Sequence, residues 1–342
     1  MVNPFTASVQ PAHGRAFYRG AMAIPTPRLA RVPVWVWRAL MAHLAPGELR
    51  RFNLDPIDSV DYRFDIDYVG DGLHTQRLDV ISPRPTGDDH GPLPVYVYFH
   101  GGGWTSGDKA PLTRYCASQA ASGMVVVNVN YRMAPRFRMA DMLRDADASV
   151  AWVVEHIAEL GGDPDHIVLG GDSAGGQIAA LLAATTRSPE LAAHYGVTPV
   201  SPVRVRGVIQ HCSINDFSVI FEKGFVLGLG FVRMLLPARG RGLHLASAAR
   251  YLSPIEWVGP DYPPVLVTTS RRDPMYRSNL NFVAALQRHG VEVDCLVDND
   301  AAHTWQQDSR HPASAEVYRR LQGFVRSVMP ALAGRGGASP IM

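Results

Sequence analysis

The run Ile167-Val168-Leu169-Gly170-Gly171-Asp172-Ser173-Ala174-Gly175 decides the fold, read with the helix-forming stretch 174–184 that overlaps its end. The apolar, β-branched residues 167–169 make a short buried strand, and the alanine- and leucine-rich stretch behind them makes a helix. Between the two lies G-x-S-x-G at 171–175. A sharp strand-to-helix turn of this kind exposes the serine oxygen, and the glycines remove side-chain clashes at the bend. The hydroxyl of Ser173 also sits at a helix N-terminus, whose N–H groups and dipole favour developing negative charge. A five-residue pattern of this composition recurs by chance in about one chain in ten of this length. The strand before it and the helix after it therefore carry the weight.

The same alternation extends to both sides of this turn. Residues 95–99, 125–129, 205–209, 265–269 and 291–297 are further apolar runs rich in β-branched residues. Between them, Leu143, Ala146, Val150, Val153, Ile157 and Leu160 recur at helical steps, and 280–286 and 313–328 read as helices. Apolar strands alternating with helices predict an α/β fold with a mostly parallel sheet covered on both faces. Upstream the period changes to two: Tyr62, Phe64, Ile66 and Tyr68 alternate with polar residues, Asp71-Gly72 marks a turn, and Leu78 and Val80 resume the alternation. Two strands joined by a tight turn predict an antiparallel edge.

Two segments break the rhythm. In residues 1–58, Trp35, Trp37, Leu40, Met41 and Leu44 form an apolar stripe at helical spacing, closed by Pro46-Gly47. About fifty residues separate the strand ending near His211 from the one starting near Val265, and they include Phe217, Phe221, Phe225, Leu227, Phe231, Met234 and Leu235. A structureless loop of that length is unusual, so a helical insertion is expected. The organisation that follows is an N-terminal cap segment 1–58, a core 59–212, a cap insertion 213–255 and the rest of the core 256–342. The insertion either roofs the site or packs as additional core helices.

His100-Gly101-Gly102-Gly103-Trp104 directly follows the strand 95–99. Consecutive glycines free backbone N–H groups and let an oxygen approach them closely. Acyl transfer needs such donors, because its tetrahedral intermediate places charge on the former carbonyl oxygen. A serine hydroxyl is a weak nucleophile and requires a base, which requires an orienting acid. The chain order for this architecture is Ser, then Asp or Glu, then His. Asp273 follows the strand 265–269 and His303 follows the strand 291–297, both at the rim where open α/β sheets place their sites. Asp298, Asp300 and His311 are rivals. Asp298 would have to fold back from the histidine loop, and His311 before Pro312 suits a helix start. His211 and Cys212 end a strand at the same rim, where they touch substrate or pack on each other.

With these elements in this order, the chain resembles the hormone-sensitive-lipase-like family of α/β-hydrolases. H-G-G-G-W stands at 100–104, G-D-S-A-G-G at 171–176, Y-R-x-A-P at 131–135, and D-P at Asp273-Pro274. The resemblance implies an α/β-hydrolase fold with a helical cap and Ser173, Asp273 and His303 as the triad. It implies Gly102, Gly103 and Ala174 as oxyanion-hole donors. Trp104, His211, Phe217 and Trp305 are the candidate pocket residues. The chain departs from the family at Arg136, where Glu is common, and at Asp273-Pro274-Met275-Tyr276-Arg277, where D-P-L-x-D is common. Arg271, Arg272 and Arg277 then either recruit an anionic substrate or are surface arginines.

These residues predict a serine esterase that needs no metal or organic cofactor and acts on a small-molecule ester. An amide substrate, an elimination or cyclisation at the same site, and a non-catalytic ligand-binding relative are the alternatives. The bulk properties agree. With 342 residues, a net charge of +2, 46% hydrophobic and 19% charged residues, the chain reads as soluble and globular. It has no basic stretch for nucleic acid. Its three widely spaced cysteines give neither a disulfide framework nor a zinc pattern. No secretory signal is evident, and 225–236, the most apolar later stretch, is too short for a bilayer. A cytoplasmic protein without stable membrane insertion is expected, with a homodimer left open.

Overall fold

The computed structural model describes residues 56–84, 91–221, 234–236 and 245–329, together with isolated residues and short runs between 35 and 53. Among the described residues, eight strands form one sheet: β1 Val60–Asp67, β2 Arg77–Pro83, β3 Leu93–Phe99, β4 Val125–Val129, β5 Gly162–Asp172, β6 Val205–His211, β7 Val265–Ser270 and β8 Val293–Asp298. Their spatial order is β1-β2-β4-β3-β5-β6-β7-β8. β1 and β2 form the antiparallel edge, and β4 to β8 run parallel through β3. The helices with defined bounds among the described residues are α1 Thr113–Ala120, α2 Met139–His156, α3 Ser173–Thr185, α4 Pro189–Tyr195, α5 Leu245–Leu252, α6 Tyr276–Arg288 and α7 Ser314–Ser327.

The strands bury both faces because their side chains alternate between two cores. Val95, Val97 and Phe99 of β3 join the larger cluster with α2, α3 and α6, whereas Tyr96 and Tyr98 point into the smaller one with α1 and α7. The parallel strands end together: Asp172 pairs with His211, and His211 with Thr268. That shared carboxyl edge is where the loops carrying Ser173, Asp273 and His303 emerge.

Two expectations need correction. The alternation in β1 is not continuous. The register shifts between Arg63 and Ile66, and Asp65 takes φ 59°. Its N–H donates to Asp79 Oδ1 at 2.9 Å, so a buried carboxylate of β2 pulls the backbone into a bulge and leaves Phe64 exposed. Pro46 and Gly47 are themselves helical and do not close the N-terminal stripe, and Trp35 and Leu40 of that stripe are exposed. Trp37 and Leu44 lie outside the described residues, as do Phe225, Leu227 and Phe231 of the insertion. The parts of the insertion that are described include the 3-10 turn Phe217–Phe221 and α5. Its start is pinned by Ser278 Oγ, which accepts the N–H of Asn215 and of Asp216 at 2.8 Å each, and by Ser253 Oγ, which accepts that of Phe217 at 2.9 Å.

The same Asp79 belongs to a buried ion cluster. Lys109 Nζ lies 2.6 Å from Asp79 Oδ1 and 2.8 Å from Asp65 Oδ1, with Lys109 and Asp79 almost fully buried. Burial pushes the Asp79 carboxyl up and the Lys109 hydrogen bond opposes it. Removing only the cation strands that carboxylate. Lys109→Met is therefore expected to cost about 3–5 kcal/mol in urea unfolding. Asp79→Leu added to it is expected to recover part of the loss. A single variant within about 1 kcal/mol of the parent contradicts this role.

Candidate active site

Ser173 opens α3 directly after β5, with φ 50°. A non-glycine residue held there is strained, as expected of a side chain turned out at a strand-to-helix elbow. The elbow is tight. A Cβ on Gly175 would collide with the carbonyl oxygens of Phe99 and His100 at the end of β3. The nucleophile turn and the glycine loop at 100–104 therefore pack backbone to backbone.

That glycine loop is shaped by its neighbours. Gly102 takes φ 122° and Gly103 φ 59°, and a Cβ on Gly102 would collide with the Ser106 carbonyl oxygen. The Gly102 carbonyl accepts the N–H of Thr105 at 3.3 Å and of Ser106 at 3.2 Å, and the Ser106 hydroxyl at 2.8 Å. Gly101 N–H donates to Asp172 Oδ1 at 2.9 Å, which also accepts the Tyr98 hydroxyl at 2.8 Å. Burial raises the Asp172 carboxyl, and the Tyr98 hydrogen bond opposes that shift. Among the described residues, the N–H groups of Gly102 and Gly103 have no protein acceptor. Ala174 lies in the first turn of α3, where N–H groups have no partner within the helix.

The Y-R-x-A-P segment fastens this loop from outside. Tyr131 stacks on His100 at 4.5 Å and donates its hydroxyl to the His100 carbonyl at 2.7 Å. Ala134 N–H donates to the Trp104 carbonyl at 2.8 Å. Arg132 grips Asp145 of α2 through Nε and Nη2, the latter at 2.7 Å, anchoring the segment to the core.

The acid and the histidine meet. His303 Nδ1 and Asp273 Oδ2 are 3.0 Å apart, and Asp273 Oδ1 accepts the Met275 N–H at 2.6 Å. Both carboxylate oxygens are thus assigned, and the Asp273 side chain has no solvent exposure. Burial pushes the His303 imidazole down, but the hydrogen bond and charge of Asp273, with Asp172 farther off, outweigh it and hold the group above its ordinary value. The rivals are occupied elsewhere. Asp298 Oδ1 accepts the N–H groups of Asp300 at 2.8 Å and Ala301 at 2.7 Å, turning the loop that presents His303. His311 Nδ1 accepts the Ala313 N–H at 3.2 Å at the start of α7.

The four candidate pocket residues divide. Trp104 and Phe217 are buried against each other at 5.6 Å, where the glycine loop meets the insertion. His211 is corrected: it is fully enclosed, with Nε2 2.8 Å from the Tyr115 hydroxyl and Nδ1 2.7 Å from Thr268 Oγ1. Burial pushes its imidazole down to about 3, so it is a neutral member of a packed network and not a pocket wall. Trp305 is buried as well. It packs with Cys212, Ala301 and Val317 as a small core beneath the histidine loop. Arg271 and Arg272 reach back to that loop, donating to Asn299 Oδ1 at 3.0 Å and to the Asp300 carbonyl at 3.4 Å.

Cys212, Asp273 and His303 bring one potential metal-ligand atom each within 4.8 Å of one another. The donor types would suit zinc. The geometry instead pairs Asp273 with His303, while burial and the Asp273 charge drive the Cys212 thiol well up and keep it protonated. Gln306 Nε2 lies 3.4 Å from the sulfur, closing the packing around it. The three cysteines are free thiols.

Asp172, Tyr98 and Gln177 have roles here that no sequence pattern assigns. Asp172 stood inside the quoted G-x-S-x-G, and its position beside the nucleophile was the available signal. Tyr98 alternates with core residues and carried none. Gln177 follows Ser173 by four residues, the spacing that places two side chains on one helix face.

Comparison with known proteins places the fold and the family. A protein-family profile described as alpha/beta hydrolase fold matches residues 96–307. Carboxylesterase NlhH of Mycobacterium tuberculosis is 38% identical over 303 residues, covering 84% of this chain and 90% of that protein. The probable carboxylic ester hydrolase LipM of the same organism is 31% identical over 232 residues, covering 67% of this chain and 51% of its own length. Among solved structures, esterase B of Lactobacillus rhamnosis superposes with a TM-score of 0.77 at 22% identity, covering 87% of this chain and 96% of that one. Among the described residues, no helix is long and apolar enough to cross a membrane.

Proposed function

The chain belongs to the α/β-hydrolase fold family, and from that premise we propose that this carboxylic ester hydrolase cuts its substrate through Ser173, His303 and Asp273, by way of an acyl-enzyme. The observation that carries the reading is the 3.0 Å Asp273–His303 pair, set at the same sheet edge as a serine held at φ 50°. His303 takes the Ser173 proton as the oxygen attacks the ester carbonyl. Gly102, Gly103 and Ala174 N–H groups hold the oxyanion, and losing one such donor costs about 3 kcal/mol of barrier lowering. The alcohol leaves with the proton from His303. A water activated by the same imidazole then releases the acid and restores Ser173. Asp273 keeps the imidazole in the correct tautomer and stabilises its cation without taking the proton.

The test is turnover of p-nitrophenyl esters from acetyl to octanoyl beside the matching anilides. Hydrolysis of the esters is expected, with slower turnover of each anilide. Anilides cleaved faster than esters would move the assignment to amide substrates. No ester cleaved at any chain length would remove it.

A further inference from the structure

Gln177 spends both ends of its amide, and through them it joins three parts of the site. Its Oε1 accepts the Trp104 indole N–H at 2.6 Å, and its Nε2 donates to the Leu252 carbonyl at 2.6 Å. Trp104 directly follows Gly102 and Gly103 and holds φ 61°. Leu252 closes α5 of the insertion. Gln177 itself lies one turn along α3 from Ser173, whose helix it shares. Phe217, near the start of the insertion, packs on the same indole at 5.6 Å. The insertion therefore bears on the glycine loop twice, once by ring contact and once through this amide.

The residue type is the informative part. Gln177 is fully buried. A leucine of similar volume would fill the site without needing partners, whereas a buried amide is tolerated only when its polar atoms are paired. Here each arm meets a group from a different segment, 73 residues upstream and 75 residues downstream. Buried polar links of this kind fix relative placement more than they add net stability.

Resting on the esterase reading above, we propose that Gln177 is a positioning residue that ties the seating of the insertion to the shape of the oxyanion loop. The donors at Gly102 and Gly103 are aligned when Trp104 is held, and Trp104 is held by an amide whose other arm grips the insertion. Donor placement controls the transition state far more than ground-state binding. Loss of the link should therefore fall on kcat.

The experiment compares the parent with Gln177→Leu, Trp104→Phe and the double variant. Each is assayed on p-nitrophenyl acetate at a temperature well below its own measured melting point. Gln177→Leu is expected to lower kcat about 10- to 100-fold with KM within about threefold. Trp104→Phe, which removes the indole N–H, is expected to lower kcat similarly. The double variant should fall little below the worse single one, because both break the same link. A lowered melting point with parental kcat in Gln177→Leu would leave only a packing role and overturn the proposal. Multiplicative losses in the double variant would overturn it too. A parent without ester turnover would instead defeat the esterase reading itself.

Discussion

Ser173→Ala is expected to cut p-nitrophenyl ester hydrolysis by roughly 10⁴- to 10⁶-fold in kcat while leaving the fold intact. The size follows from the mechanism: without the hydroxyl no acyl-enzyme forms, and the residual rate is what oriented binding beside the oxyanion donors supplies to water. The fold survives because the substitution removes a single oxygen. The left-handed backbone at φ 50° is imposed by the packing of Gly171 and Gly175 on β3, not by the serine side chain. Holding a non-glycine residue there costs on the order of 1–3 kcal/mol in either variant, so the melting point should move by only a few degrees. A fluorophosphonate probe gives the second readout. The parent should carry one phosphonyl group on the peptide containing Ser173, and the variant none. Label on another serine, or a variant within tenfold of the parent, would remove Ser173 as nucleophile.

Much of this site was legible because it lies at punctuation in the chain. Gly171, Ser173 and Gly175 sit where a strand period gives way to a helical one. The glycine run at 101–103 ends β3, and Asp273 and His303 each follow an apolar strand of a parallel sheet. Once the sheet is inferred, the rim gathers them. The legible part ends where long-range packing decides. His211 ends β6 at the same rim, yet strand alternation turns its ring onto the face of the smaller core, toward Tyr115 and Thr268. The neighbouring Cys212, at φ 50°, is the residue packed beside Asp273 and His303. The Asp65 bulge depends on Asp79, fourteen residues away on another strand. Gln177 depends on partners more than seventy residues off in both directions. Periodicity reports the face of a residue, not the partner that awaits it.

Asp273→Asn should lower kcat about 10⁴-fold, and the local hydrogen bonds say why so small a change does so much. Asp273 Oδ1 accepts the Met275 N–H at 2.6 Å, so an asparagine must keep its carbonyl oxygen there. Its NH₂ then faces His303 Nδ1, 3.0 Å from the Oδ2 it replaces. That ring nitrogen is forced to accept, the imidazole proton moves to Nε2, and Nε2 can no longer take the Ser173 proton. The pH profile supplies an independent readout. Burial lowers the His303 imidazole, and Asp273, aided by Asp172, more than reverses the effect. In the parent the protonated, inactive form therefore persists to higher pH, and activity should rise through a pH above the ordinary imidazole value of about 6.5. Replacing the carboxylate removes the largest raising influence, while the partial burial of a side chain that is 38% exposed remains. The acid limb of kcat/KM should shift to lower pH even as the plateau falls. A plateau above a tenth of the parent's, or an acid limb that does not move, would show that another group orients His303.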